Sequence, residues 1–206
     1  MTNEITKGVK EEIKRMIDWM EEQDLNDRQI EEVVAAILST QDEKQNNIKK
    51  IFVAGLGRSG FVADGFAMRL AHLGFNTRTI KEATVPPFEE GDLFIIVSGS
   101  GASLTKQIEI ALKIGAKIIM ITSIVDSVDA RLADIKFIIP GREKEEEGAS
   151  LSYEERQMIG LPVFPLGTAF EDFAMIILDA IISNIVVTKK KTRADLKGKH
   201  SNVPEI

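Results

Sequence analysis

Two short segments of this chain combine glycines with hydroxyl and cationic side chains, and each follows a run of apolar residues. The first is Gly55-Leu56-Gly57-Arg58-Ser59-Gly60, directly after Ile51-Phe52-Val53-Ala54. The second is Ser98-Gly99-Ser100-Gly101-Ala102-Ser103, directly after Leu93-Phe94-Ile95-Ile96-Val97. Both lead into stretches that read as helices. Glycine lets a backbone approach a ligand closely, and a helix start offers unpaired N–H groups at the positive end of its dipole. Two such loops at the same end of neighbouring strands make a pocket for an anion. Phosphate is the expected anion, and the serines add hydroxyl donors to it.

The elements that must hold these loops are legible in the apolar spacing. Ile5, Val9, Ile13, Met16, Ile17 and Met20 recur at helical intervals over 4–22. A second helix is expected to start near Asn26 or Asp27, with Ile30, Val33, Val34, Ile37 and Leu38 on one face. The stretch 41–47 is polar and reads as a connection. Apolar runs then fall near 50–54, 76–81, 92–97, 117–122 and 135–139, most of them separated by helix-length segments. Runs that are apolar on both faces and alternate with helices predict an α/β fold whose parallel sheet is covered on both sides. Pro86 and Pro87 mark 82–91 as a loop, residues 140–165 read as irregular, and a long apolar helix runs from Thr168 to about Val187. Trp19 is expected to pack. The helical pair at 4–40 reads either as a cap on the domain or as an oligomer contact.

Composition limits the possible functions. The 206 residues suit one domain, with 1–45 as N-terminal helices, 46–188 as the α/β core and 189–206 as a C-terminal tail. The absence of cysteine excludes disulfides, thiolate catalysis and cysteine–zinc sites. A net charge of −6 speaks against nucleic acid as a partner. No apolar run approaches the roughly 18 residues of a membrane span, and the polar start Met1-Thr2-Asn3-Glu4 lacks the features of a signal peptide, so the expected setting is cytoplasmic. The acidic run Glu143–Glu147 and the basic stretch from Lys189 read as solvated. Gly55-x-Gly57-x-x-Gly60 also fits a dinucleotide fingerprint, with Glu82 lying 22 residues beyond Gly60. Against that reading, the chain leaves little room for a separate catalytic domain. Arg58 and Ser59 also stand where a pyrophosphate would need only backbone.

Taken together, the two loops resemble the sugar isomerase (SIS) domain family, which binds phosphosugars through a Ser-x-Ser-Gly-x-Thr loop at a parallel strand end. Ser98-Gly99-Ser100-Gly101-Ala102-Ser103 is the matching segment. Within that family the pattern is similar to the 6-phospho-3-hexuloisomerases. The similarity runs in order through Gly57-Arg58-Ser59-Gly60, Phe66-Ala67-Met68-Arg69-Leu70, His72-Leu73-Gly74-Phe75, Pro86-Pro87 and Gly91-Asp92-Leu93. It continues through Pro165-Leu166-Gly167-Thr168-Ala169-Phe170-Glu171 to His200-Ser201-Asn202. Two departures stand out. Ala102-Ser103 replaces the usual Glu-Thr, with Ser103 keeping the hydroxyl, and Lys81-Glu82 stands where Gly-Glu is common.

The resemblance implies the SIS fold, a flavodoxin-like three-layer α-β-α sandwich with a five-stranded parallel sheet preceded by two helices. It also implies a homo-oligomer, a tetramer, with a small phosphosugar as ligand and neither metal nor organic cofactor. The implied reaction interconverts a 3-hexulose 6-phosphate and fructose 6-phosphate, a step of the ribulose monophosphate pathway, through an enediolate formed by a carboxylate base. Arabinose 5-phosphate isomerisation, or phosphosugar sensing without turnover, are the alternatives. Glu171 is the candidate base, and His72 and His200 are candidate catalytic groups, His200 as a proton shuttle that enters a neighbour's pocket. Gly57, Ser59, Ser98, Ser100, Gly101 and Ser103 would hold the phosphate. Arg58 and Glu82 would meet sugar oxygens or pair with each other. Removal of residues 195–206 should abolish turnover in a kinetic assay; full activity in the truncated chain would take the tail out of the site.

Overall fold

The computed structural model describes residues 2–42, 47–141, 155, 158 and 167–199. The acidic run at 143–147 and His200 lie outside them. Two helices come first, α1 (Thr2–Glu21) and α2 (Asp27–Ser39). Asn26 caps α2, its side-chain oxygen accepting a hydrogen bond from Gln29 N at 3.2 Å. The stretch expected as a plain connection begins and ends in two short antiparallel strands, β1 (Gln41–Asp42) and β2 (Asn47–Ile48). Two residues are too few for alternation to be visible in a sequence, so this pair had no signal.

The five apolar runs then form the sheet. In chain order they are β3 (Lys50–Gly55), followed by α3 (Gly57–His72), β4 (Asn76–Thr79), β5 (Leu93–Val97), α4 (Thr105–Ile114), β6 (Lys117–Thr122) and β7 (Ile135–Ile138). Two helices close the described chain, α5 (Thr168–Thr188) and α6 (Arg193–Gly198). All five strands are parallel, in the order β4-β3-β5-β6-β7. Strand β4 ends two residues before the apolar run does, where a turn closes from Glu82 N to Thr79 O. Helix α6 was not expected in the tail; Thr192 and Asp195 cap it reciprocally.

Alternation along each strand divides the core into two layers. Ile51, Val53, Ile95, Val97, Ile119 and Ile121 face α2, α3 and α5, packing with Ile37, Phe66, Leu70, Phe170 and Ile177. Phe52, Ala54, Phe94, Ile96, Ile118 and Met120 face α4, packing with Leu104, Ile108 and Ala111. Phe88, from the proline-containing loop, completes the second layer, its ring 4.2 Å from Phe52 and 5.2 Å from Phe94. Trp19 packs as expected, edge-on to Phe173 at 5.6 Å. The other apolar residues of α1 divide: Met20 packs on the core, whereas Ile5, Val9, Ile13 and Ile17 form an exposed stripe. Among the described residues no helix is long and apolar enough to cross a membrane.

The direction of winding reverses between β3 and β5. The chain leaves β3 through α3 on one face and leaves β5 through α4 on the other. A crevice therefore opens at the carboxyl ends of these two neighbouring strands, where Gly55 pairs with Val97 and both glycine loops begin.

The opposite end of the sheet is closed by a buried carboxylate. Asp92 is fully buried; its two oxygens accept from Lys50 N and Glu89 N, both at 2.8 Å. The Lys50 ammonium lies 3.2 Å from Asp92 and 2.6 Å from Glu89. Burial pulls the Lys50 pKa down, but hydrogen bonds and charge from Glu89 and Asp92 outweigh it, so the net direction is upward from 10.5. The Lys50 hydrogen bond in turn holds the Glu89 carboxyl below its usual range. Because the folded-state pKa of Lys50 is the higher one, its pairing stabilises the fold fully below pH 10.5 and fades as pH rises through the folded value. Asp92→Ala should lower stability by about 1.5–3 kcal/mol, read from the denaturant midpoint, because the N–H groups of Lys50 and Glu89 lose a charged acceptor. Lys50→Met should flatten the alkaline loss of stability seen in the parent protein.

Candidate functional site

The first loop is built by close backbone packing. A methyl group on Gly55 would lie 2.5 Å from the Ser59 carbonyl oxygen, so only glycine lets β3 run straight into α3. Gly57 adopts φ +55, a left-handed conformation that glycine takes without strain. Leu56 occupies the N-cap position without a capping side chain, so the first N–H groups of α3 face the crevice with no such partner. Arg58 and Ser59 sit in this first turn; Arg58 is exposed and Ser59 is buried.

The second loop is held by its own serines and by the segment that follows β6. Ser98 is buried; its N–H reaches Ile121 O at 3.0 Å, and its hydroxyl accepts from Gly101 N at 3.2 Å. The Ser98 and Ser103 hydroxyls lie 3.3 Å apart. Gly101 has φ +61, and any side chain there would collide with Ser127. Gly99 O accepts from both Thr122 Oγ1 and Ser123 N. Ser100 is partly exposed at the loop's turn.

Asp129 locks this loop to α4. The residue is fully buried, and one carboxylate oxygen accepts from Ser103 N at 2.8 Å and Leu104 N at 2.9 Å. Its other oxygen accepts from the Thr105 hydroxyl, and its own N–H donates to Gly101 O. It thus satisfies N–H groups at the start of α4 from 24 or more residues away, a capping arrangement that no local sequence signal marks.

The candidate base meets the first loop. Gly167, at φ +78, opens α5 and brings Glu171 into its first turn. Glu171 is only 8% exposed. Its Oε2 lies 2.8 Å from Arg58 Nε, and its Oε1 accepts a long hydrogen bond from the Ser59 hydroxyl at 3.4 Å. Arg58 also donates to Thr168 Oγ1 at 2.8 Å and lies 3.4 Å from Asp172 Oδ1. The guanidinium thereby joins the starts of α3 and α5 and offsets the charge of a nearly buried carboxylate. A carboxylate fixed beside a crevice that offers anion-binding donors can move a proton on a bound anionic ligand.

The other expected site residues are more dispersed. Glu82 is exposed and turns back on its own strand, accepting from Thr79 N at 3.0 Å, so Arg58 pairs with Glu171 rather than with Glu82. His72 ends α3, about 22 Å along the helix axis from Gly57. There it lines a groove with Arg69, Asp179, Ser183 and Leu196. Within the chain, then, Gly57, Arg58, Ser59, Ser98, Ser100, Gly101, Ser103 and Glu171 lie at adjoining loops and helix starts, and His72 lies elsewhere. Asp129, Thr168 and Asp172 support the site and were missed; each contacts it only through long-range packing.

The fold is that of an SIS domain: residues 46–161 match the SIS domain family, and the chain belongs to it. A protein of Aeropyrum pernix without an assigned function is 40% identical over 159 residues, 75% of this chain and 74% of that one. The 3-hexulose-6-phosphate isomerase of Bacillus subtilis is 35% identical over 156 residues, covering 75% of this chain and 80% of its own. A crystal structure from Methanococcus jannaschii, described as inferring a 3-hexulose-6-phosphate isomerase function, superposes with a TM-score of 0.73 at 26% identity. It covers 96% of this chain and 99% of its own.

Asp129→Ala should remove about 1.5–3 kcal/mol of stability, since N–H donors to a charged acceptor are left unpaired. It should also weaken the binding of inorganic phosphate. Denaturant titration and calorimetry read the two effects; unchanged phosphate binding would separate Asp129 from the loop's function.

Proposed function

We propose that the protein is a phosphosugar isomerase that interconverts D-arabino-hex-3-ulose 6-phosphate and fructose 6-phosphate. The observation that carries this reading is the pairing of Glu171 with Arg58 and Ser59 at the end of β3, one strand away from the serine loop of β5. The Bacillus subtilis relative supports the choice of substrate by its name.

In this reading the phosphate rests on the hydroxyls of Ser98, Ser100 and Ser103 and on the backbone about Gly57 and Gly101. The carbon chain then runs across the crevice past Ser59 and Glu171. Glu171 removes the proton from C2 of the 3-ulose, leaving an enediolate over C2 and C3, and returns a proton to C3. The carbonyl passes from C3 to C2 as a hydroxyl proton moves from O2 to O3. Arg58 steadies the carboxylate and the developing oxyanion, where a fixed cation in a dry site counts most. The 3-ulose reacts as an open chain, because the oxygen that would close a five-membered ring carries the phosphate.

The functional unit is a cytoplasmic homotetramer in which residues 1–206 of each subunit form one domain. In that assembly His72 and His200 reach a neighbour's pocket and open the ring of fructose 6-phosphate. The exposed stripe of Ile5, Val9, Ile13 and Ile17 on α1 supports self-association.

The test is a coupled assay. A hexulose-phosphate synthase makes the substrate from formaldehyde and ribulose 5-phosphate, and fructose 6-phosphate is followed through NADPH formation. The parent protein should turn over, and Glu171→Gln should lose about 10²–10⁴-fold in kcat while still binding fructose 6-phosphate. Turnover close to the parent's in Glu171→Gln would refute the assignment, and no activity in the parent would favour a sensing role.

A further inference from the structure

Lys81 is a cation beside the first glycine loop that the mechanism above leaves without a task. It follows β4, which lies on the far side of β3 from the serine loop. Its ammonium is seated against α3, where a methyl group on Gly60 would meet Lys81 Nζ. Gly60 directly follows Ser59, the residue that hydrogen-bonds Glu171. The lysine head therefore rests over Gly60 in the first turn of α3, next along the chain from the residue that contacts the candidate base.

Little else holds this ammonium. Among the described residues its ion pair is with Asp64, at 3.7 Å, and both side chains are nearly half exposed. A pair of that length in solvent is weak. The ammonium is thus only loosely engaged by Asp64 and can meet a further partner. Arg58, by contrast, already bridges Glu171, Asp172 and Thr168.

The spacing of the sheet says what that partner is. Strands β4, β3 and β5 are consecutive, so the ends of β4 and β5 lie about 10 Å apart at the usual spacing. An extended six-carbon phosphate ester has a comparable length. With its phosphate on the loop of β5 and its C2–C3 bond beside Glu171 at β3, its C1 end arrives at β4.

We propose that Lys81 binds the oxygens of the unphosphorylated end of the substrate, the C1 hydroxyl and the O2 oxygen that carries charge in the enediolate. This rests on the isomerase reading above and extends it, adding a third strand end to the site. Glu82, the neighbour expected to do this work, is turned away onto Thr79.

Two variants and one control test it. Lys81→Met keeps the length of the side chain and removes the charge, and Lys81→Arg restores a cation. Isomerisation kinetics are measured together with competitive inhibition by inorganic phosphate, which occupies only the serine loop. Lys81→Met should lower kcat/KM at least tenfold, Lys81→Arg should recover part of that, and phosphate inhibition should stay the same in both. A kcat/KM within twofold of the parent in Lys81→Met would overturn the proposal. So would a parallel weakening of phosphate inhibition, which would make Lys81 a contact for the phosphoryl group. Ser100→Ala is the control, and it should weaken phosphate inhibition. If phosphate inhibition is unchanged there, the pocket itself is wrong and the Lys81 assignment falls with it.

Discussion

Two neighbouring parallel strands whose helices leave to opposite faces cannot cover the space at their shared carboxyl end. Strands β3 and β5 are in that position, and the rest of the site follows from it. Helix α3 carries Arg58 and Ser59 along one wall, and the loop before α4 carries the serines along the other. Helix α5 packs on the α3 side of the sheet, so its first turn brings Glu171 to the same wall as Arg58. The apolar layers hold the strands in register and thereby set the spacing of the polar groups above them.

Carboxylates at this end of the sheet are distinguished by what they bind. Asp129 is engaged by backbone N–H groups and one hydroxyl, and its role is to hold the loop in shape. Glu82 is engaged by the turn that ends β4. Glu171 is held by side chains, Arg58 and Ser59, that themselves border the crevice. A carboxylate consumed by amides is a cap, whereas one oriented by side chains beside an open space is placed for chemistry. At the far end of the sheet Asp92 and Lys50 tie the starts of β3 and β5 together, at the opposite end of the same strands from the proposed site.

Much of this was legible in the residues. Continuous apolar runs such as Leu93–Val97 marked buried parallel strands, and the change from helical to strand spacing after 47 marked where the sheet begins. The serine loop and Gly57-Arg58-Ser59 were visible because hydroxyls and glycines at a strand end have few other uses. Glu171 was picked out by the family resemblance, since its place after Gly167 alone reads as an ordinary acid in a helix's first turn. The small hairpin of β1 and β2 was not, because two-residue strands carry no periodicity. Helix α6 was also missed, in a tail that read as solvated.

The five sheet strands and the long helices could be read from the residues alone, and so could the two glycine loops proposed to hold an anion, because hydrophobic period and glycine are local properties of the chain. Only the tertiary structure decided which charged groups share a space: that Arg58 meets Glu171 across 113 positions, that Asp129 caps a helix begun 24 residues earlier, and that Lys81 rather than Glu82 leans onto Gly60. Those pairings depend on strand order and on the face each helix takes, and both are set by how the whole apolar surface is buried rather than by any neighbouring residue.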